Sequence, residues 1–321
     1  ILESHELQPG DVILVDTGQY VLATNIGIDA DDSGVIVRGP TDADKEAILD
    51  RGNTSSGSYV FELNGADDVT IEHLSITGAN TGVFAAFGAG SDNLVVADSR
   101  IFDHSSRGVW INGGNESTRI ENSDVFDNST GIEVEGNLAN VVGNRVYLNS
   151  TGIAAEPRNF GDPITVIGNT VHDNSSRGIR ISDPGTVAEG NLVYGHEDSS
   201  TGISLDRQAT ARDNVIYGVR TGISTSLSGD HIIGNRVFNT TEFGITVRRS
   251  DQVIGNVVYN NPIGIRAQDN FRGLISNNIA YNNTTNAIQL ENSSFFSNLR
   301  VINNTVLQPV GDGVRVQSNT V

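Results

Sequence analysis

Six side chains in the first two thirds of this 321-residue chain are of types that do chemistry on a polymer: Trp110, Glu133, Glu135, Glu156, Arg180 and Asp206. Trp110 is the only tryptophan, and an indole can stack on the apolar face of a sugar ring. Carboxylates such as Glu133, Glu135, Glu156 and Asp206 can work in pairs, one as acid and the other as base or nucleophile, with their separation deciding the geometry. Glu135 and Glu156, placed on neighbouring strands about 5 Å apart, can share a Ca²⁺ through hard oxygen ligands. Arg180 can neutralise a carboxylate on a substrate. Catalytic roles are therefore expected of Glu133, Glu135, Glu156, Arg180 and Asp206. Substrate contacts are expected of Trp110, Phe84, Arg158 and Asn112, and Ca²⁺ is the one cofactor considered. The competing reading is that an acidic protein fills some outward positions with glutamate by composition alone.

These residues share a register. Each lies on or just past a recurring Gly-Ile-x-Val segment, whose second position is Val83, Val109, Ile132, Ile153, Ile179, Ile203, Ile223, Ile245, Ile265, Ile288 or Val314. All are β-branched and suit a pleated, buried surface. The next residue then faces outward, as Phe84, Trp110, Glu133, Ala154 or Arg180. Two residues further on, a second outward column reads Asn112, Glu135, Glu156, Ser182 and Asp206.

Those segments belong to a longer repeat, apolar-x-Gly-Asn-x-Val-aromatic-x-Asn-x-x-Gly-Ile-x-Val. Its first asparagine is Asn144, Asn169, Asn191, Asn214, Asn235, Asn256, Asn278 or Asn304, recurring every 21 to 26 residues. A drifting period in the twenties marks a solenoid. Apolar columns two residues before and after this step, such as Val166 and Val171, supply two further strands per repeat. Three short strands per turn describe an all-β fold, a single-stranded parallel β-helix of roughly twelve coils and three parallel sheets. Right-handed crossover is the default. The spacing predicts one domain, 1–321, with irregular coils over 1–66 and regular repeats over 67–321.

The asparagine column has a structural cause. A corner between strands needs a residue near the left-handed region, and the Gly-Asn step is expected to place Asn there. Stacked amides can then hydrogen-bond from coil to coil. The aromatic column Phe102, Phe126, Tyr147, His172, Tyr194, Tyr217, Phe238, Tyr259 and Tyr281 reads as an in-register stack and not as a sugar platform. His172 is one member of it. His104 and His196 sit at the start of turns and read as structural.

The repeat resembles the pectate-lyase-like right-handed parallel β-helix superfamily over nearly the whole chain. The opening Pro9-Gly10-Asp11-Val12-Ile13-Leu14-Val15-Asp16-Thr17-Gly18-Gln19-Tyr20 is similar to the first coil of many carbohydrate enzymes of that fold. The resemblance implies carbohydrate bound along the Gly-Ile-x-Val sheet and its flanking loops, and it implies no single activity. Family-specific signatures are missing. There is no Gly-His-Gly to accompany Asp31-Asp32 or Asp67-Asp68. Asp162-Pro163 and Asp183-Pro184 are followed by Ile164 and Gly185, where an alginate epimerase motif has histidine. Lys45 is the only lysine, and the chain has no methionine or cysteine for a copper site.

Net charge is −19, so nucleic acid and anionic lipid are poor partners. No apolar stretch is long enough to insert in a membrane. Without cysteine there is no disulfide or thiolate metal site. Longer connections at Asn112–Ser117, at Glu156–Pro163 with Arg158, Phe160 and Asp162, at Gln268–Gly273, and at Glu291–Asn298 with Phe295 and Phe296 are expected binding loops. A last strand ending near Val321 would leave an open edge for further coils or a capping partner. Two functions remain open. One is an extracellular or cell-surface protein acting on or binding polysaccharide, with lyase, epimerase or hydrolase chemistry if it is an enzyme. The other is a non-catalytic structural or adhesive segment of a larger surface protein.

Overall fold

The computed structural model describes residues 5–42, 44–158, 163–196, 200–292 and 299–318. Phe160, Asp162, Phe295 and Phe296 lie outside the described residues. The chain falls into two compact units, Ile1–Thr170 and Val171–Val321. The strands make three parallel sheets and thirteen turns among the described residues, against the roughly twelve coils expected. Val12–Leu14, Gly18–Val21 and Ile26–Asp29 form the first full turn. The one helical element among the described residues is a 3-10 turn, Ala30–Asp32. No helix is long and apolar enough to cross a membrane.

In the first unit, one sheet runs through Tyr59–Asn64, Thr81–Ala85, Arg107–Ile111, Thr130–Val134 and Thr151–Ala155. Its register sets Val83, Val109, Ile132 and Ile153 in one row, all fully buried. Ile101, Val125 and Val146 form a second buried row and Val96, Ile120, Val141 and Val166 a third. Each such side chain contributes about 1.5–3 kcal/mol by leaving water. The glycine ahead of each β-branched residue is required by close approach. A Cβ on Gly131 would lie 2.7 Å from both the Gly152 carbonyl oxygen and Val146 Cγ1.

The second unit repeats the plan. Arg177–Ser182, Thr201–Asp206, Thr221–Thr225, Phe243–Arg248 and Ile263–Gln268 pair in sequence. They align Ile179, Ile203, Ile223, Ile245 and Ile265 in a fully buried row.

The repeat asparagines form the expected amide ladders. In the second unit Asn191, Asn214, Asn235, Asn256 and Asn278 each donate from Nδ2 to the Oδ1 of the next, ending on Asn304, at 2.9–3.0 Å. In the first unit Asn144 donates to Asn169 at 3.0 Å. The corner is one residue earlier than expected. The left-handed residue precedes the asparagine: Gly143 (φ 67°), Gly168 (64°), Gly234 (67°) and Gly255 (69°), with Asp213 (55°) and Asn277 (57°) where glycine is absent. The asparagine itself turns into the coil, where its amide satisfies backbone groups that a buried corner would otherwise leave unpaired.

The aromatic column is a stack. Phe102, Phe126 and Tyr147 in the first unit lie 4.9 Å apart and within 8° of parallel. In the second, His172, Tyr194, Tyr217, Phe238, Tyr259 and Tyr281 continue at 4.7–5.2 Å. Within each stack the ring faces cover one another, so the inner rings meet solvent by their edges.

Candidate functional site

The expected site residues divide between the units. Phe84, Trp110, Asn112, Glu133, Glu135, Glu156 and Arg158 belong to the first, and Arg180 and Asp206 to the second.

In the first unit, the outward row reads Glu62, Phe84, Trp110, Glu133, Ala154 across five neighbouring strands. Phe84 is buried, 8% exposed, between Tyr59, whose ring it stacks on at 4.2 Å, and Trp110, whose ring lies 5.1 Å away at 50°. The Arg107 guanidinium lies 3.9 Å from the centre of the Trp110 ring. Arg107 also grips Glu133 with two nitrogens, Nε to Oε2 at 2.5 Å and Nη2 to Oε1 at 3.3 Å. Trp110 is therefore covered by an arginine held in place by the very carboxylate expected to do acid–base work. Burial raises the Tyr59 phenol above its ordinary range, and the Glu62 carboxylate adds to the effect.

The second outward column differs from strand to strand. Asn112 is buried, 6% exposed, and its Nδ2 donates to the Ala85 carbonyl oxygen at 3.2 Å. Glu135 and Glu156 extend the register set by Val134 and Ala155. Glu135 Oε2 accepts from Arg158 Nε at 2.5 Å. Glu156 is half-buried.

Arg107 and Phe87 escaped the sequence reading. Arg107 stands three residues before Trp110, a spacing that would put the two on opposite faces of a regular strand. The Gly108 step between Arg107 and Val109 breaks the alternation. Phe87 is 71% exposed, and the Arg158 guanidinium lies 5.8 Å from its ring centre. Gly113 makes room for both. A Cβ there would stand 2.8 Å from Arg158 Cγ and 3.4 Å from Phe87 Cε2. The two loops are joined by Gly88 N–H donating to the Gly113 carbonyl at 2.8 Å and Gly90 N–H to that of Gly114 at 3.2 Å. The readable signal was an aromatic residue set before Gly88 and Gly90 in one loop and opposite Gly113-Gly114 in the next.

In the second unit, Arg180 is half-buried and pairs in register with Ser204. Asp206 lies beside Ser182, and Arg207 reaches both Asp206 and the buried Asp183 at 3.5 Å. Below them two carboxylates are fully buried. Asp230 accepts from Ala209 N–H and Asp251 from Asp230 N–H, both at 3.0 Å. Burial, reinforced by the Asp251 charge, pushes the Asp230 carboxyl up to about 7. Asp251 is raised in the same direction by burial.

His104 and His196 have structural places. His104 N–H donates to Asn128 Oδ1 at 3.1 Å, its Nδ1 accepts from Ala79 N–H at 3.2 Å, and its Nε2 faces the Ile76 carbonyl at 3.1 Å. It fills the slot that Asn128 fills on the next coil. His196 accepts from Asn174 N–H at 3.2 Å. Burial lowers both imidazoles to about 4.

A family model for the right-handed β-helix region matches residues 11–160 and 158–321. No curated protein matches the sequence. Among solved structures, the chain is similar to the A-module of the mannuronan C-5 epimerase AlgE4 of Azotobacter vinelandii, with 14% identity over 97% of this chain and 91% of that one and a TM-score of 0.66. It is also similar to PfbA, a surface adhesin of Streptococcus pneumoniae, with 12% identity over 94% and 83% of the two chains and a TM-score of 0.59. The Dettilon tailspike protein shows 13% identity over 90% and 61%, with a TM-score of 0.60. At these identities the likeness is one of fold. With three parallel sheets of short strands in each unit and a family match running from residue 11 to residue 321, the chain belongs to the right-handed parallel β-helix family.

Proposed function

We propose that this protein binds polysaccharide outside the cell or at its surface, and that Phe87 and Arg158 form a contact point in the first unit. The observation that carries the reading is an exposed aromatic ring with a guanidinium held over it on a glycine floor. A ring so placed offers a flat apolar surface, and Arg158 offers donors to hydroxyls or carboxylates. Binding is preferred to catalysis because Glu133 and Glu135 are already engaged by Arg107 and Arg158. Names among the structures of like fold, an epimerase module, an adhesin and a tailspike, support a polysaccharide-directed role.

The test is a titration of neutral and uronate polysaccharides by calorimetry, with and without Ca²⁺, while unsaturated ends and reducing sugar are followed. At least one polysaccharide should bind, with no product formed. Phe87→Ala and Arg158→Ala should each weaken binding about threefold to tenfold. Phe87 is exposed, so its loss leaves the fold intact. Product formation would replace binding with catalysis.

The coil-to-coil pairs Arg107–Glu133 and Arg158–Glu135 favour a second reading, a scaffold with no glycan site. Failure of every polysaccharide to bind would leave that reading in place.

A further inference from the structure

The turns that follow Thr221–Thr225, Phe243–Arg248 and Ile263–Gln268 in the second unit enclose a cleft of about 330 Å³. It is lined by Ser228, Arg249, Ser250, Asp269, Asn270 and Arg272. This volume is at the small end of ligand clefts, which run from about 300 to 1,000 Å³. Asp269 is already held by Arg248 at 3.0 Å. Arg249 and Arg272 are exposed and engage no carboxylate among the described residues.

Some other arginines of this unit are paired, Arg266 with Glu291, Arg220 with Glu242 and Arg212 with Glu189, while Arg177 and Arg300 also meet no carboxylate among the described residues; what sets Arg249 and Arg272 apart is that both line one cleft. Two guanidinium charges on one small cleft repel each other, and an anion between them would remove that cost. Long-range repulsion from the acidic surface is screened beyond about 8 Å at physiological ionic strength, so local charge decides.

The frame around the cleft is well held. Arg272 N–H donates to the Arg249 carbonyl. The buried Asp251 accepts from Arg248 N–H at 2.9 Å and from the Thr225 hydroxyl at 2.6 Å. Phe271 is buried, 2% exposed, and anchors the turn that carries Arg272. Asp269 and Asn270 adopt φ of 53° and 58°, which Asp and Asn tolerate, and Arg249 adopts φ of 50°, which an arginine keeps only where its surroundings impose it. The Ser228 and Ser250 hydroxyls add donors to the two guanidinium forks.

We propose that this cleft binds an oxyanion carried on a saccharide, a uronate carboxylate or a sulfate ester, with Arg249 and Arg272 as paired donors. The saccharide carrier rests on the polysaccharide reading above; the anion rests on the cleft alone.

Wild type, the Arg249→Gln/Arg272→Gln double variant and Phe87→Ala are titrated with oligogalacturonate, a sulfated galactan oligosaccharide and a neutral galactan oligosaccharide. The wild type should prefer one charged ligand, which identifies the anion, and that affinity should fall as NaCl rises. The double variant should lose about tenfold or more for the charged ligand and nothing for the neutral one. Where a saccharide does bind, equal affinity of variant and wild type for charged ligands, or no preference for charged over neutral ligands, overturns the proposal. A second arm keeps the two readings distinguishable. Thermal unfolding is measured in sodium sulfate and in NaCl of equal ionic strength. Sulfate should stabilise the wild type more than the double variant even if no saccharide binds, in which case the polysaccharide reading alone fails. Equal sulfate stabilisation of both proteins sinks the anion site.

Discussion

Arg107 lies over Trp110, 3.9 Å from the ring centre, while its guanidinium holds both oxygens of Glu133. One arginine thus links three neighbouring strands, because Trp110 in turn contacts Phe84. The indole expected to stack on a sugar lies between Phe84 and the Arg107–Glu133 pair.

Removing that cover should be visible in the tryptophan itself. Arg107→Ala is expected to shift Trp110 emission to longer wavelength and to cost about 1–2 kcal/mol, from the lost cation–π contact and the unpaired Glu133. Arg107→Lys should recover only part, since an ammonium cannot make the two-pronged pair. Chemical denaturation with the single tryptophan as probe measures both effects. An unchanged emission maximum in Arg107→Ala would contradict the packing.

The amide ladder should be worth more than any surface pair. Asn235 accepts from Asn214 and donates to Asn256, Ala211 and Ile233. Asn235→Ala leaves buried partners unsatisfied, each at roughly 1–3 kcal/mol. A loss of at least about 3 kcal/mol in urea unfolding is expected, with the loss in Asn235→Asp smaller below neutral pH, where a protonated acid can mimic the amide.

His104 makes stability pH-dependent in a calculable direction. Its folded pKa, lowered to about 4 by burial, lies below the ordinary 6.5. The unfolded chain therefore binds the extra proton first. Stability is complete above about pH 6.5 and is lost as pH falls toward 4, by roughly 2–3 kcal/mol. His104→Asn, which copies the Asn128 slot, should keep stability at pH 7 and make the profile shallower between about pH 4 and 6.5, leaving the part that His196 contributes. Urea midpoints across that range test it.

Asp230 acts in the opposite sense. Its folded pKa is raised to about 7 from an ordinary 3.8, so the folded state holds the proton longer. Its contribution is complete below about pH 4 and is lost as pH rises through about 7, a loss on the order of 4 kcal/mol. Asp230 N–H donates to Asp251 Oδ1 as Asn235 N–H donates to Asn256 Oδ1. Asp230→Asn should therefore melt higher than the wild type at pH 8 and about equally at pH 4. A lower melting temperature at pH 8 would show that the carboxylate is needed in its charged form.

What the sequence determined by itself was the coil. Period, β-branched columns and asparagine steps recur through the chain, so any one misread copy is outvoted by the others. Ile132 over Ile153 and Ile179 over Ile203 follow from that alone. The position of the left-handed residue within the Gly-Asn step did not follow, because both residue types tolerate that conformation and only the inward turn of the amide chooses between them. Site geometry was legible only as a list of outward candidates. Tertiary structure decided that Arg107 covers Trp110, that Asn112 turns inward, and that Phe87 meets Arg158 over Gly113. Those contacts join residues from different coils whose side chains are not periodic. Their partners are chosen by the reach of long arginine side chains and by glycine gaps in neighbouring loops, neither of which a repeat pattern records.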